Sequence, residues 1–207
     1  MATVTTPPTR APVNNLANQL TAARFVLALV LFVLIALEYW GWCLAVFVVA
    51  AFTDWLDGYL ARAYNLGSTL GRNLDPLVDK VLMCGAYISL LPLGYAQGWL
   101  HPWMVTLVVA RELVVTSLRS YIETTGAHFG ADWLGKFKMG LQCAAVFAIF
   151  VAQIGRKWSS APVAFLEFTQ AVVIYAMVII TLLSGLQYLW KAALILRKEE
   201  EPGERGT

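Results

Sequence analysis

The sequence predicts an all-α integral membrane protein with six transmembrane helices. Its composition is the first reason: of 207 residues, 59% are hydrophobic and only 14% are charged, and the mean hydropathy is +0.65. A soluble domain carries about 25% charged residues, so this chain has too few to cover a globule in water. The second reason is that the apolar residues fall into long runs, since a helix that spans a bilayer needs about 20 of them.

The apolar runs define the predicted organisation from one end of the chain to the other. Residues 1–14 are polar and rich in proline, which predicts a short mobile head. An amphipathic segment then leads into a membrane domain over residues 15–196, and residues 197–207 form a charged tail in water. The predicted spans are residues 20–39, 42–63, 77–97, 102–121, 134–154 and 163–196.

The charges at the ends of the runs predict the orientation. Lys and Arg cluster at the ends that face one side, whereas the opposite connections, 38–41 and 94–101, contain neither. Arg156 and Lys157 are the exception. Because cytoplasmic loops carry the excess of Lys and Arg, both termini and a polar cavity are expected on the cytoplasmic side.

The composition also excludes several classes of protein. A net charge of +2 gives no clustered basic surface, so no nucleic-acid partner is expected. The three cysteines, Cys43, Cys84 and Cys143, are odd in number and lie within apolar runs, which argues against a disulfide framework.

Four of the 13 acidic residues lie close together where a membrane helix should have none. Each carboxylate in a spanning helix costs about 2.5–3.5 kcal/mol on insertion scales, so each needs a reason. Asp54 and Asp57 share one helical face with two small residues, Gly58 and Ala61, within about 100° of arc. After a predicted turn at 64–68, the pair Asp75-Pro76 predicts a helix start with Asp75 as N-cap, and Asp79 follows one turn later.

Four carboxylates can share a pocket of low dielectric constant only if cations neutralise them. Ligands that are all carboxylates suit a hard divalent ion such as Mg²⁺, and two such ions assist displacement at phosphorus. Arg62 is suited to meet phosphate charge. Two other interpretations stay open: interfacial salt bridges to Arg62, Arg72 and Lys80, or the ion pathway of a divalent-cation transporter.

The arrangement Asp54-x2-Asp57-Gly58-x2-Ala61-Arg62-x8-Gly71-x3-Asp75-x3-Asp79 resembles the signature of the CDP-alcohol phosphotransferase family at every fixed position. The resemblance implies a dimeric protein with six transmembrane helices that transfers a phosphatidyl or similar group from a CDP-activated donor to an alcohol, releasing CMP. It also implies two Mg²⁺ or Mn²⁺ ions and a set of roles. These are metal binding by Asp54, Asp57, Asp75 and Asp79, general-base catalysis by Asp79, and CDP binding by Asp54, Gly58, Ala61, Arg62 and Gly71.

Basic residues in the second half of the chain bear on the acceptor alcohol. An acceptor that carries its own phosphate needs a cationic pocket, and the candidates for phosphate binding are Arg111, Arg119, Lys136 and Lys138. Segments 15–24, 110–112, 117–119 and 135–142 are similar to the bacterial phosphatidylglycerophosphate synthases within the family. This similarity implies CDP-diacylglycerol as donor, glycerol 3-phosphate as acceptor and the bacterial inner membrane as location. Serine, inositol phosphate and phosphatidylglycerol stay open as acceptors.

Overall fold

The computed structural model describes residues 16–64, 69–124, 133–158 and 163–200, and it describes side chains at 19–54, 77–122, 124, 133–158 and 163–195. Within these ranges the regular structure is entirely α-helical, and each predicted apolar run forms a helix. The helices are α1 (Leu16–Ala36), α2 (Trp40–Tyr64), α3 (Thr69–Ala96), α4 (Pro102–Thr124), α5 (Trp133–Trp158) and α6 (Val163–Glu200). The predicted head at 1–14 lies outside the described residues, as do the predicted turn at 65–68 and residues 201–207 of the tail.

Within the described residues, four helices are long and apolar enough to cross a bilayer. These stretches are Gln19–Ala36, Leu77–Ala96, Trp133–Trp158 and Val163–Ile195, and a shorter apolar stretch covers Trp40–Asp54. Large apolar side chains such as Trp133, Phe168 and Trp190 are exposed, which lipid accommodates and water does not. These lengths and surfaces are those of an integral membrane protein.

The prediction that a helix begins at Asp75-Pro76 is wrong, because α3 already begins at Thr69. Pro76 lies inside the helix, where its missing N–H leaves one carbonyl of the preceding turn without a helical donor. A long membrane helix tolerates this loss, since neighbouring groups supply replacement hydrogen bonds. Asp75 is therefore an interior residue of α3 and does not cap it. Asp75 and Asp79 still belong to the same helix, four residues apart.

Two of the connections use the same left-handed turn with different residues. At the end of α3, Gly98 has a φ of 77°, and the amide of Trp99 donates to the carbonyl of Gly94 over 3.0 Å. At the end of α1, Glu38 has a φ of 57°, and the amide of Tyr39 donates to the carbonyl of Leu34 over 3.1 Å. Glycine is the usual residue at this position, because a Cβ is strained there.

The chain forms two compact units, residues 1–85 and 86–207. In the first unit α1 packs on α2, and each helix buries residues that recur every three or four positions, as expected for one apolar face. Gly85 of α3 lies so close to α1 that a Cβ at this position would overlap the ring of Phe32. The fully or almost fully buried residues of α1 and α2 include Ala28, Leu31, Ile35, Cys43, Phe47 and Ala50.

In the second unit α6 packs against both α4 and α5. The Tyr87 hydroxyl donates to the backbone carbonyl of Gln142 over 2.9 Å, which joins the end of α3 to α5. The buried core is formed by Leu90, Met104, Val108, Val115, Ala145, Ile149, Phe150, Ile174 and Met177.

Arg156, the exception to the predicted charge distribution, lies in a polar cluster of the second unit. Its Nη2 is 3.0 Å from Oε1 of Glu167, and its Nη1 donates to the side chain of Gln97. Gln97 also accepts a hydrogen bond of 3.0 Å from Gln153. A local carboxylate and one amide therefore bind this guanidinium, which accounts for a cation at this position.

Candidate active site

A buried arginine connects two of the predicted metal ligands in the first unit. Arg24 of α1 is 1% exposed, and its Nη1 lies 2.9 Å from Oδ1 of Asp54 on α2. The same nitrogen lies 2.9 Å from Oδ1 of Asp79 on α3. One guanidinium nitrogen therefore brings two carboxylates from two different helices together.

The two carboxylates differ in their access to solvent. The side chain of Asp54 is 43% exposed, whereas that of Asp79 is 23% exposed. Asp54 lies where α2 passes from its apolar stretch, Trp40–Asp54, into the segment that carries the predicted CDP-binding residues. Arg24 is almost completely buried, so it contacts the two carboxylates from the protein interior. The exposed part of Asp54 stays accessible from outside.

The remaining residues of the predicted acidic cluster lie outside the described side chains. Asp57, Gly58, Ala61 and Arg62 belong to α2, and Gly71 and Asp75 belong to α3. Among the described side chains, no three from Asp, Glu, His and Cys gather in a group that could hold a metal ion. The structure therefore brings together Asp54 and Asp79, and it leaves the full ligand set a prediction.

The described pair fits a divalent cation in its chemistry. Both groups are carboxylates, the donors that Mg²⁺ and Mn²⁺ prefer. Both direct Oδ1 to a single positive centre, the Arg24 nitrogen, which stands where a cation is needed to offset two neighbouring anions. Of the open interpretations, interfacial ion pairing is realised in part, by Arg24, while the side chains of Arg62 and Arg72 lie outside those described.

A second polar cluster lies in the second unit and contains three of the four predicted phosphate-binding residues. Oε1 of Glu112 on α4 forms ion pairs with two cations. These are Nη1 of Arg111, at 3.2 Å, and Nζ of Lys138 on α5. Arg111 also donates from Nη2 to Oγ of Ser184 on α6 over 3.1 Å. These side chains are all at least largely buried, so one carboxylate offsets two cations away from solvent.

Tyr188 of α6 joins the third cation to this cluster. Arg119 donates from Nη2 to the Tyr188 hydroxyl over 2.7 Å. The guanidinium carbons of Arg111 and Arg119 lie 5.5 Å and 5.7 Å from the centre of the Tyr188 ring. A buried aromatic ring thus holds two arginines near each other through cation–π contacts. We call Arg111, Glu112, Arg119, Lys138, Ser184 and Tyr188 the basic cluster.

Lys136 is the fourth predicted phosphate-binding residue, and none of the described contacts joins it to the basic cluster. It lies on α5 and is exposed, whereas Lys138, two residues later, is buried. This difference follows from the helical period, since residues two apart point to different faces. Lys136 can reach an anion only from the solvent side.

Arg24, Ser184 and Tyr188 were not among the predicted site residues. Arg24 is the only charged residue of α1, and an ionisable residue alone in an apolar helix indicates a functional site. Ser184 and Tyr188 are four residues apart in a long apolar helix and so share a face. Both signals are present in the sequence, but the helices that these side chains meet are visible only in the structure.

Comparisons with known proteins agree with the predicted family. Residues 14–183 match the family model described as CDP-alcohol phosphatidyltransferase. The chain is similar to the CDP-diacylglycerol–glycerol-3-phosphate 3-phosphatidyltransferase of Bacillus subtilis (strain 168), with 34% identity over 86% of this chain and 94% of the relative.

Two further relatives show a comparable similarity. One, from Mycobacterium tuberculosis (strain CDC 1551 / Oshkosh), is named "Probable phosphatidylglycerophosphate synthase" and is 37% identical over 88% of this chain and 84% of its own length. The other is the CDP-diacylglycerol–glycerol-3-phosphate 3-phosphatidyltransferase of Escherichia coli (strain K12), 34% identical over 70% of this chain and 74% of the relative.

Proposed function

The chain belongs to the CDP-alcohol phosphatidyltransferase family, and we propose that it transfers the phosphatidyl group of CDP-diacylglycerol to glycerol 3-phosphate. The products are phosphatidylglycerophosphate and CMP. The names of the relatives support this donor and this acceptor. The observation from this chain that carries the choice of acceptor is the basic cluster, because a neutral alcohol needs no concentration of cations.

The basic cluster supports a role in binding the phosphate of glycerol 3-phosphate. Arg111, Arg119 and Lys138 supply three positive charges against the single charge of Glu112. Guanidinium groups donate paired hydrogen bonds that match phosphate oxygens. Arg111 and Lys138 are largely buried, whereas Arg119 is exposed and open to an incoming anion. Lys136 would add a further positive charge from the solvent side.

Asp79 acts as the general base in the proposed mechanism. It accepts the proton from the primary hydroxyl of the acceptor, and the resulting oxygen attacks the donor phosphorus that carries diacylglycerol. The bond from this phosphorus to the CMP oxygen then breaks. Contacts to the CDP group are assigned to Asp54, Gly58, Ala61, Arg62 and Gly71.

Divalent ions bound by Asp54, Asp57, Asp75 and Asp79 would neutralise charge on the phosphates and on the departing CMP. Two Mg²⁺ or Mn²⁺ ions are proposed, supported by the carboxylate-only donors and by the cation that Asp54 and Asp79 already share.

The proposed topology has six membrane spans, with both termini and a polar cavity on the cytoplasmic side of the bacterial inner membrane. Residues 1–14 and 197–207 flank one membrane domain at 15–196, and the protein acts as a homodimer. The arrangement suits the substrates, because CDP-diacylglycerol arrives from the lipid phase and glycerol 3-phosphate from the cytoplasm.

The proposal is tested with purified protein, CDP-diacylglycerol, Mg²⁺ or Mn²⁺ and a panel of alcohols, by measuring CMP release. Glycerol 3-phosphate should support release, whereas serine, inositol phosphate and phosphatidylglycerol should not. Release with one of these alone would change the acceptor and leave the chemistry intact. No release with any alcohol would contradict the enzyme assignment and favour the cation-transporter alternative.

A further inference from the structure

Arg24 has no part in the transfer reaction as proposed above, yet its guanidinium group is buried in the interior. It is 1% exposed and lies in a helix that has no other charged residue. A buried charge is tolerated only when opposite charges and hydrogen bonds compensate it. For Arg24 the described compensation is Asp54 and Asp79, which are two of the proposed metal ligands.

We propose that Arg24 is the internal counter-cation of the metal site, which offsets part of the negative charge of Asp54 and Asp79 in the metal-free protein and competes with a divalent ion for them. The inference rests on the proposed function, because it requires these two carboxylates to be metal ligands. It assigns a role in setting metal affinity to a residue outside the ligand set.

The geometry makes competition the expected outcome. A single nitrogen, Nη1, lies 2.9 Å from Oδ1 of both carboxylates. A divalent ion bound to the same oxygens would lie within a few ångströms of the guanidinium. At such separations in a protein, the repulsion between two cations changes an equilibrium constant by more than about tenfold.

The difference in burial decides which cation can leave. Asp54 is 43% exposed, so an ion can approach the pair from the solvent side, whereas Arg24 reaches it from the buried side. The arginine cannot diffuse away as a bound ion can. It therefore offsets part of the negative charge of the two carboxylates when metal is absent, and it lowers their affinity for metal.

Direct binding of Mn²⁺ by the full-length protein in detergent, without substrates, tests this proposal. Free Mn²⁺ is followed by electron paramagnetic resonance during titration. Arg24→Gln removes the competing charge and should bind Mn²⁺ about tenfold more tightly than the wild type. Arg24→Lys retains the charge and should bind with the wild-type affinity.

Arg156→Gln is the matched control. It removes a partly buried arginine that pairs with Glu167 in the second unit, and it should leave the affinity for Mn²⁺ unchanged. If the wild type and Arg24→Gln bind Mn²⁺ equally well, or the variant binds more weakly, the inference is wrong while the proposed function stands. If the wild type itself fails to bind Mn²⁺, the proposed metal site is wrong and the inference fails with it.

Thermal unfolding provides a second measurement in case Arg24→Gln is difficult to isolate. In the presence of a chelator the variant should unfold at a lower temperature than the wild type, because two carboxylates lose a positive charge that both contact. Mn²⁺ should raise the Tm of the variant more than that of the wild type, since tighter binding stabilises the folded state more. A loss of stability that Mn²⁺ does not restore would overturn the proposal and leave Arg24 a purely structural residue.

Discussion

Arg119 donates a hydrogen bond of 2.7 Å to the hydroxyl of Tyr188, and its guanidinium lies against the ring of the same tyrosine. The guanidinium carbon of Arg111 lies 5.5 Å from the centre of the same ring. Tyr188 therefore connects two cations that would otherwise repel each other. Tyr188 has no assigned contact with the substrate. It nevertheless positions two of the residues that are proposed to bind the substrate.

Tyr188→Phe removes the hydroxyl and keeps the ring, so it isolates the hydrogen bond to Arg119. A hydrogen bond to a charged group contributes about 1.5–3 kcal/mol. We therefore expect the KM for glycerol 3-phosphate to rise about tenfold, with little change in the KM for CDP-diacylglycerol. Tyr175→Phe, at an exposed position on the same helix, is the control and should change neither. An unchanged KM for glycerol 3-phosphate in Tyr188→Phe would contradict the positioning role.

Glu112→Gln leaves Arg111 and Lys138 without their shared carboxylate. Removing one partner of a buried ion pair costs about 3–5 kcal/mol, so the Tm measured in detergent should fall by roughly 6–20 °C. Glu167→Gln removes an acid that is 46% exposed and paired with Arg156, and such pairs contribute about 0–1 kcal/mol. Equal shifts in Tm for the two variants would show that the basic cluster does not depend on Glu112.

Asp79→Asn removes the proposed general base and retains the size of the side chain. General-base catalysis contributes a factor of about 10²–10⁴, so kcat should fall by that factor. Glu38→Gln, at an exposed connection of the same unit, is the control and should retain the wild-type kcat. Full turnover by Asp79→Asn would exclude Asp79 as the base.

Gly85→Ala tests the close approach between α1 and α3. The new Cβ would overlap the ring of Phe32, and overpacking of this kind costs about 1–3 kcal/mol. Phe32→Ala combined with Gly85→Ala should recover part of the lost stability. Gly41→Ala, with no atom within 4 Å of the added Cβ, should slightly raise the Tm, because alanine favours the helix over glycine.

The sequence was sufficient to predict the helices, because a membrane span is a local property of about 20 consecutive residues. The predicted runs agree closely with the helices of the structure, including the start of α4 at Pro102 and that of α6 at Val163. The error at Asp75-Pro76 has a local cause. Proline and its preceding residue are typical of a helix start in water, whereas a membrane helix can continue through them.

The contacts between helices were not predictable in the same way. The spacing within one helix indicates which residues share a face, but not which other helix that face meets. Arg24 ends the segment 15–24 that carries part of the family resemblance, but it had no assigned role, and the structure shows that it pairs with acids from α2 and α3. Similarly, nothing in one sequence relates Tyr188 to Arg111 and Arg119, which lie in a different helix and far away in the chain.

Labelled glycerol 3-phosphate tests the central claim most directly. The purified protein is incubated with CDP-diacylglycerol, Mn²⁺ and radiolabelled glycerol 3-phosphate, and the lipid is then extracted into organic solvent. We expect the label to enter a lipid with the mobility of phosphatidylglycerophosphate, in amounts equal to the CMP released and only when CDP-diacylglycerol and a divalent ion are both present. Release of CMP without label in the lipid fraction would contradict glycerol 3-phosphate as the acceptor.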